Sequence, residues 1–305
     1  MASYIFEFFG YRSEDQSSQA LSAAANEKCP FIQDICEKTF SDGTISGVCS
    51  IRQATSKDAV VCCPIRLYAD DYQILKNISD RAFKQNLPLV PGKDAIAFAQ
   101  EHSQECVAVF GKRWGGELRL PQKSGKGGYF VDWVLAWLDQ QGDLLEFTAV
   151  EVQTIDTTGN YRNGFTTLKS ERKLEKTTAG LNWENVSKRI LPQLIYKGQV
   201  LQREELCKKG LFFVCPKPVF NRIVERLGGE SKLLRYALQP AAITFIAHDF
   251  APNTHPTDGV MLPLKEMSSL TTTVYQVQEA FNHVALPEEN VYKAAILNAL
   301  GKKDL

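Results

Sequence analysis

The sequence predicts an α/β fold, and three observations carry the prediction. Short apolar runs of strand length, Cys106-Val107-Ala108-Val109-Phe110, Leu211-Phe212-Phe213-Val214-Cys215 and Ala242-Ile243-Thr244-Phe245-Ile246-Ala247, alternate with segments whose apolar residues recur at helical spacing. Two further runs, Tyr129-Phe130-Val131-Asp132-Trp133 and Val150-Glu151-Val152-Gln153, read as a β-hairpin about a turn at Gln141-Gly142. At 305 residues and 44% hydrophobic content the chain can bury a sizeable core, as one large domain or two ordinary ones.

Along the chain, residues 3–12 read as an apolar strand or helix, followed by a Ser/Gln/Ala-rich stretch of helical propensity over 13–26. Residues 29–64 carry turn signals at Asp42-Gly43, Ser46-Gly47 and Cys63-Pro64 and little helical periodicity, which reads as a small loop-rich module. Tyr72, Leu75, Ile78 and Phe83 predict a helix over 69–86; Pro88 and Pro91 then break the chain, and helix resumes over 93–104. After the strand at Cys106 a second is expected over 115–120, and the hairpin follows. A polar turn at 156–161 leads to a helix over 183–206, which Pro192 must kink or interrupt, because proline lacks the N–H that an interior turn needs. Strand, helix and strand close the series at 211–215, 219–227 and 242–247, with no internal repeat and no low-complexity tail. An N-terminal module carrying the cysteine-rich region over 1–85 and a larger domain over 86–305 are expected.

The formal net charge of zero argues against an indiscriminate nucleic-acid binder, whose affinity comes from neutralising phosphates with Lys and Arg. Over residues 161–210, however, eleven Lys or Arg stand against five Glu. A local basic face and a solvated helix surface with paired charges both account for this surplus. No run of eighteen uncharged apolar residues occurs, and the start lacks the basic flank and cleavage site of a signal peptide, so a cytoplasmic protein without a membrane partner is expected.

Five of the eight cysteines, Cys29, Cys36, Cys49, Cys62 and Cys63, fall in the first quarter of the chain. With no secretory signal, such a cluster reads as metal binding rather than disulfides. A tetrahedral site of Cys29, Cys36, Cys49 and one of Cys62 or Cys63 would hold zinc or iron, and the metal would supply folding energy that a loop-rich module cannot draw from its core. The bland alternative is a set of buried free cysteines, and the spacing is not that of paired CxxC modules.

Reflection of the hairpin about Gln141 and Gly142 places Asp132 opposite Glu151, and alternation along the strand puts Glu151 and Gln153 on one face. The neighbours are apolar, so charged carboxylates there need a cation. Mg²⁺ held by Asp132 and Glu151 would polarise a phosphate and lower the pKa of an attacking water, as phosphodiester hydrolysis needs; a hairpin with outward polar residues at both positions accounts for the bare pattern equally well. Gln153 carries no charge and is left to orient the water by hydrogen bonds. Glu117 follows two glycines suited to a close backbone approach that would let it reach the same pocket; otherwise it is an exposed strand glutamate. His102, His248, His255 and His283 adjoin no nucleophile pattern, and Gly125-Lys126-Gly127-Gly128 lacks P-loop spacing.

The chain resembles the NotI-like type II restriction endonucleases, which include EagI, through at least its first two-thirds. The likeness lies in Phe6-Glu7-Phe8-Phe9-Gly10-Tyr11-Arg12, Cys29-Pro30-Phe31, Gly47-Val48-Cys49, Cys63-Pro64, Gly115-Gly116-Glu117-Leu118, Val131-Asp132-Trp133, Glu151-Val152-Gln153-Thr154-Ile155-Asp156, Gly159-Asn160-Tyr161 and a block over 182–197. The resemblance implies a PD-(D/E)XK core, a mixed sheet flanked by helices, with an iron-binding four-cysteine module. It also implies a Mg²⁺-dependent homodimer that cuts double-stranded DNA at a GC-only palindrome around GGCC. Glu117, Asp132, Glu151 and Gln153 match the family's active-site set, Gln153 standing where most PD-(D/E)XK enzymes have Lys; Cys29, Cys36, Cys49 and Cys63 match its metal ligands. Two features depart from the pattern: a shorter gap between Cys29 and Cys36, and Cys62 as a neighbour of Cys63. After about Leu227 no motif aligns. Guanine readout would fall to Arg or Lys, with Arg113, Arg162, Lys188 and Arg189 as candidates and Lys123 and Lys126 in a loop near the site. Two rivals remain at this level: a non-catalytic cysteine-metal DNA-binding regulator, and a sugar hydrolase using Glu117 and Glu151.

Overall fold

Seven strands, the central ones rich in β-branched and aromatic residues, pair into one mixed sheet: β1 (Leu89–Pro91), β2 (Cys106–Gly111), β3 (Trp133–Leu138), β4 (Leu144–Val152), β5 (Leu211–Pro216), β6 (Ala242–Phe250) and β7 (Leu264–Thr273). The computed structural model describes residues 2–121, 128–252, 254–283 and 288–302. The strands lie side by side in the order in which the chain makes them. β2–β3, β3–β4 and β6–β7 pair antiparallel, whereas β1–β2, β4–β5 and β5–β6 pair parallel. The parallel joins need crossovers, and the chain spends its helices there.

Helices cover both faces of the sheet, which is why β5 is apolar throughout rather than alternating. Leu211, Phe213 and Cys215 pack with α5 (Leu191–Leu201), α6 (Lys217–Arg226) and α7 (Val274–Asn282). Phe212 and Val214 pack on the other face with α2 (Ala69–Ala82), through Ile74, Leu75 and Ile78. The helix α3 (Ala95–His102) fills the end of the sheet near β1 and β2. The same parity turns Ala149 toward α5, and Glu151, two residues on, shares its face.

The cysteine region is less loop-like than its turn signals predict. Ser3–Phe8, Tyr11–Arg12, Val48–Gln53 and Ala59–Val61 form a four-stranded antiparallel sheet, and Lys28–Cys29 pairs with Asp34–Ile35. Two helices flank this part of the chain. One, α1 (Ser18–Ala25), is capped by Ser17 accepting from the Ala20 N–H. The other, α4 (Arg162–Glu171), returns from the larger segment to bury Phe165 and Leu168 among Ile5, Phe8, Phe9 and Ile51. Arg66 and Glu7, both wholly buried, pair at 3.0 Å and tie the N-terminal sheet to the turn that opens α2.

Two other expectations change. The strand expected over 115–120 is confined to Arg119–Pro121, leaving Glu117 in a loop. The helix expected over 183–206 opens as a wide π turn, Val186–Ile190, in which the Leu191 N–H reaches back five residues to the Val186 carbonyl. Pro192 donates no hydrogen bond at the following position, so the wider turn lies where the regular ladder is already broken.

Candidate active site

From Trp133 on the hairpin has the register that the sequence predicts, whereas Gly128–Phe130, expected in the same strand, pairs instead with Arg119–Pro121. Trp133 pairs with Val150, Val134 with Ala149 and so on to Trp137 with Glu146, so continuing the ladder one step outward sets Asp132 opposite Glu151. The turn is fixed by Asp139, whose Oδ1 accepts from the Gln141 and Asp143 N–H groups, and by Gly142 at φ +87°. Asp132 Oδ2 accepts from the Val152 N–H at 2.7 Å, which pins the carboxylate across the strand gap.

Glu151 is 3% exposed, and its two oxygens differ. Oε1 accepts from Gln153 Nε2 at 3.1 Å and lies 2.6 Å from the Lys197 ammonium, whereas Oε2 is buried with no hydrogen-bond partner. A buried carboxylate oxygen without a partner is costly to keep, and a cation is the ligand that fits it. Burial pushes the Asp132 carboxyl up to about 7, and the charges of Glu151 and Glu117 add to the rise while the Val152 N–H and Lys197 oppose it. A carboxyl buried beside another carboxylate favours its neutral form, and a bound cation would offset that cost.

Asp132 and Gln153 line a cleft of about 460 Å³, with Glu117 at its exposed rim; Glu151 and Lys197 lie beneath the floor. Gly115, at φ +98°, makes the expected close approach: a Cβ there would stand 2.9 Å from the Gly92 nitrogen. The far wall comes from the cysteine region, through Lys38, Cys62 and Cys63, and from Tyr68, whose Oη accepts from Trp133 Nε1 at 3.2 Å.

All five N-terminal cysteines are buried thiols. Burial raises Cys29 to about 11 and Cys63 to about 12, and lifts Cys36 and Cys49 as well. The charge of Cys36 adds to the rise at Cys29, those of Cys62 and then Cys36 to the rise at Cys63, and those of Cys63 and Cys29 to the rise at Cys49, so the five cysteines interact as one electrostatic group. Backbone N–H groups two residues on, at Phe31, Lys38 and Ile65, bond the sulfurs of Cys29, Cys36 and Cys63 and favour their thiolates. Cys62 is engaged otherwise: Lys38 Nζ lies 3.2 Å from its sulfur, which also donates to the Cys49 carbonyl. Among the described residues, no group of three or more Cys, His, Asp or Glu side chains is drawn close enough to hold an ion as it stands.

Residues 15–233 match the family described as Restriction endonuclease NotI, nearly three-quarters of the chain and all of the elements just described around the cleft's floor. The chain belongs to the NotI restriction endonuclease family. It is thus a type II restriction endonuclease, a site-specific deoxyribonuclease that binds DNA. Among curated proteins nothing matches it. No helix among the described residues is long and apolar enough to cross a membrane.

In this NotI-family chain the four basic candidates are separated. Arg113 and Arg189 line the cleft, the first paired with Glu37 and Asp34, the second with Asp156 at 3.0 Å. Lys188 pairs with Glu184 one helical turn back, and Arg162 with Asp42 while covering the Phe40 ring; neither lines the cleft. Much of the local basic surplus is therefore structural, since Arg172 is buried against the Asp15 and Arg12 carbonyls and Lys197 against Glu151. Lys123 and Lys126 lie outside the described residues. Sequence reasoning passed over Lys38, Tyr68 and Lys197. Only Lys197 carried a signal: it occupies the apolar stripe of α5 with Leu194 and Leu201, a position where a lysine needs a reason.

Proposed function

We propose that this NotI-family nuclease is a Mg²⁺-dependent homodimer that cuts both strands of a GC-rich palindrome containing GGCC. Its core would be of the PD-(D/E)XK type, and its N-terminal region would carry iron or zinc on Cys29, Cys36, Cys49 and Cys63. The observation that carries the metal-dependent part is the orphaned Oε2 of buried Glu151, whose charge acts on neighbouring Asp132, with Gln153 and Glu117 lining the cleft. Asp132 and Glu151 would hold Mg²⁺, which when bound supplies charge stabilisation to the phosphate and a more acidic water. Gln153 would be placed to orient a water through its amide, and Glu117 at the rim would add a third carboxylate. Buried sulfurs facing backbone N–H groups support the cysteine assignment, since thiolates are the metal-binding form. A dimer follows from the target: a twofold assembly brings two such sites to antiparallel strands by symmetry.

Incubation with supercoiled plasmid carrying GGCC-containing palindromes, in Mg²⁺ and in EDTA, tests this reading. Discrete fragments in Mg²⁺ alone are expected; fragments that persist in EDTA, or random degradation, would overturn it. A DNA-binding regulator and a sugar hydrolase would leave the plasmid whole.

Lys188 and Arg189 are expected to differ in salt titrations of DNA binding in Ca²⁺. Adjacent residues of a helical turn project in different directions, and of the two only Arg189 lines the cleft. Lys188→Ala weakens binding evenly across sequences and lowers the salt slope by about one unit per half-site. Arg189→Ala, at the cleft, loses roughly 1–3 kcal/mol of discrimination at one base pair. Unchanged affinity and slope in both variants would place the reading surface elsewhere.

A further inference from the structure

Asp132 and Glu151 lie together with Glu117 at the rim, the DNA phosphate adds negative charge, and the amide of Gln153 brings none to offset it. Among the described residues the cleft's other cations are committed elsewhere: Lys112 and Arg113 to Glu37, Arg189 to Asp156, Lys38 to Cys62 and to the Val48 and Cys62 carbonyls. The ammonium that does reach the pair comes from another element, at residue 197 of α5, whose side chain is only 7% exposed. It lies 2.6 Å from Glu151 Oε1, the oxygen that Gln153 also contacts, and so leaves Oε2 free.

We infer that Lys197 is the fixed cation of the active site, a positioning residue that holds Oε1 of Glu151 and so presents Oε2 to the metal. This rests on the proposed metal-dependent reading of the site and names the part that the Glu-x-Gln motif lacks. The local fold accounts for the placement. The π turn ahead of Pro192 resets the phase of α5, and the helix then packs its inner face on β5 while Glu151 points to that same face of the sheet. Because Gln153 contacts the same oxygen from the same strand, a lysine at 153 would deliver its charge to the same point.

That equivalence gives a reciprocal test, read as cleavage rate over a Mg²⁺ titration, with specific DNA binding in Ca²⁺ and thermal unfolding as checks on the fold. Lys197→Met keeps the stem and removes the charge; it is expected to lower cleavage about 10- to 100-fold and to raise the Mg²⁺ needed for half-maximal rate. Gln153→Lys alone crowds two ammonium groups on one oxygen and is expected to lose activity. The double variant, Gln153→Lys with Lys197→Met, is expected to regain about tenfold over Lys197→Met, within that same range. A structural role for Lys197 would give no such rescue. Wild-type cutting and Mg²⁺ dependence in Lys197→Met, or a folded double variant no better than it, overturns the inference. If Lys197→Met fails to fold, Gln153→Lys decides alone, since wild-type or higher activity there overturns it too. Glu151→Gln separates the two levels: if that variant cuts normally the site itself falls, whereas if it is inactive and Lys197→Met is not, only the role of Lys197 falls.

Discussion

Asp132→Asn and Glu151→Gln each remove cleavage, by a factor on the order of 10³ or more, while specific binding measured in Ca²⁺ persists. The size follows from what is lost: a metal's stabilisation of transition-state charge is worth several kcal/mol, and each substitution removes one of two charged ligands. The persistence of binding follows from the geometry. Asn at 132 keeps an oxygen to accept from the Val152 N–H, and Gln at 151 keeps one for Lys197, so the hairpin and the floor of the cleft stay in place. Removing a carboxylate also lessens repulsion of the DNA phosphate. Single-turnover cleavage on a plasmid or short duplex measures the loss. Near-wild-type cutting by either variant would remove that residue from the metal site.

The parts of this site that could be read in the sequence are those fixed by local rules. A two-residue turn centre and the period of two along a strand are enough to pair Asp132 with Glu151, and the observed ladder keeps that sum from Trp133 to Trp137. β5 was legible because a strand buried on both faces is apolar at every position, and β6 because its run over 242–247 is apolar but for Thr244. β7 was not, because Leu264–Thr273 lies at the sheet edge and reads as polar alternation with few branched aliphatics. The N-terminal sheet was hidden for another reason. Val48–Gln53 sits among strong turn signals, and its partner Ser3–Phe8 lies more than forty residues away, beyond any local pattern. Lys197 shows the same limit at the site itself: its place on the inner stripe of α5 is a sequence fact, but that the stripe faces Glu151 is a tertiary one.

Loss of one N-terminal thiolate is the other change with a large expected effect, because there metal binding and folding are one equilibrium. Small structural zinc sites bind with apparent free energies of about 10–16 kcal/mol. Even a partial loss on that scale rivals a domain's net stability of about 5–15 kcal/mol. Cys49→Ser is therefore expected to lower metal content and to unfold the N-terminal sheet at a lower temperature. Cys106→Ser, Cys207→Ser and Cys215→Ser should leave the metal in place, since those thiols sit apart in the sheet and helix core, two of them against single carbonyls. Cys62→Ser and Cys63→Ser decide between the neighbours. Cys63 faces the Ile65 N–H and feels the charges of Lys38, Cys62 and Cys36 without direct contact to the lysine, whereas the Cys62 sulfur accepts directly from Lys38 Nζ. Metal loss is accordingly expected in Cys63→Ser and retention in Cys62→Ser. Elemental analysis of the purified protein reads both, and the absence of stoichiometric iron or zinc from the unaltered protein would end the four-cysteine assignment, leaving these residues as buried thiols of a small core.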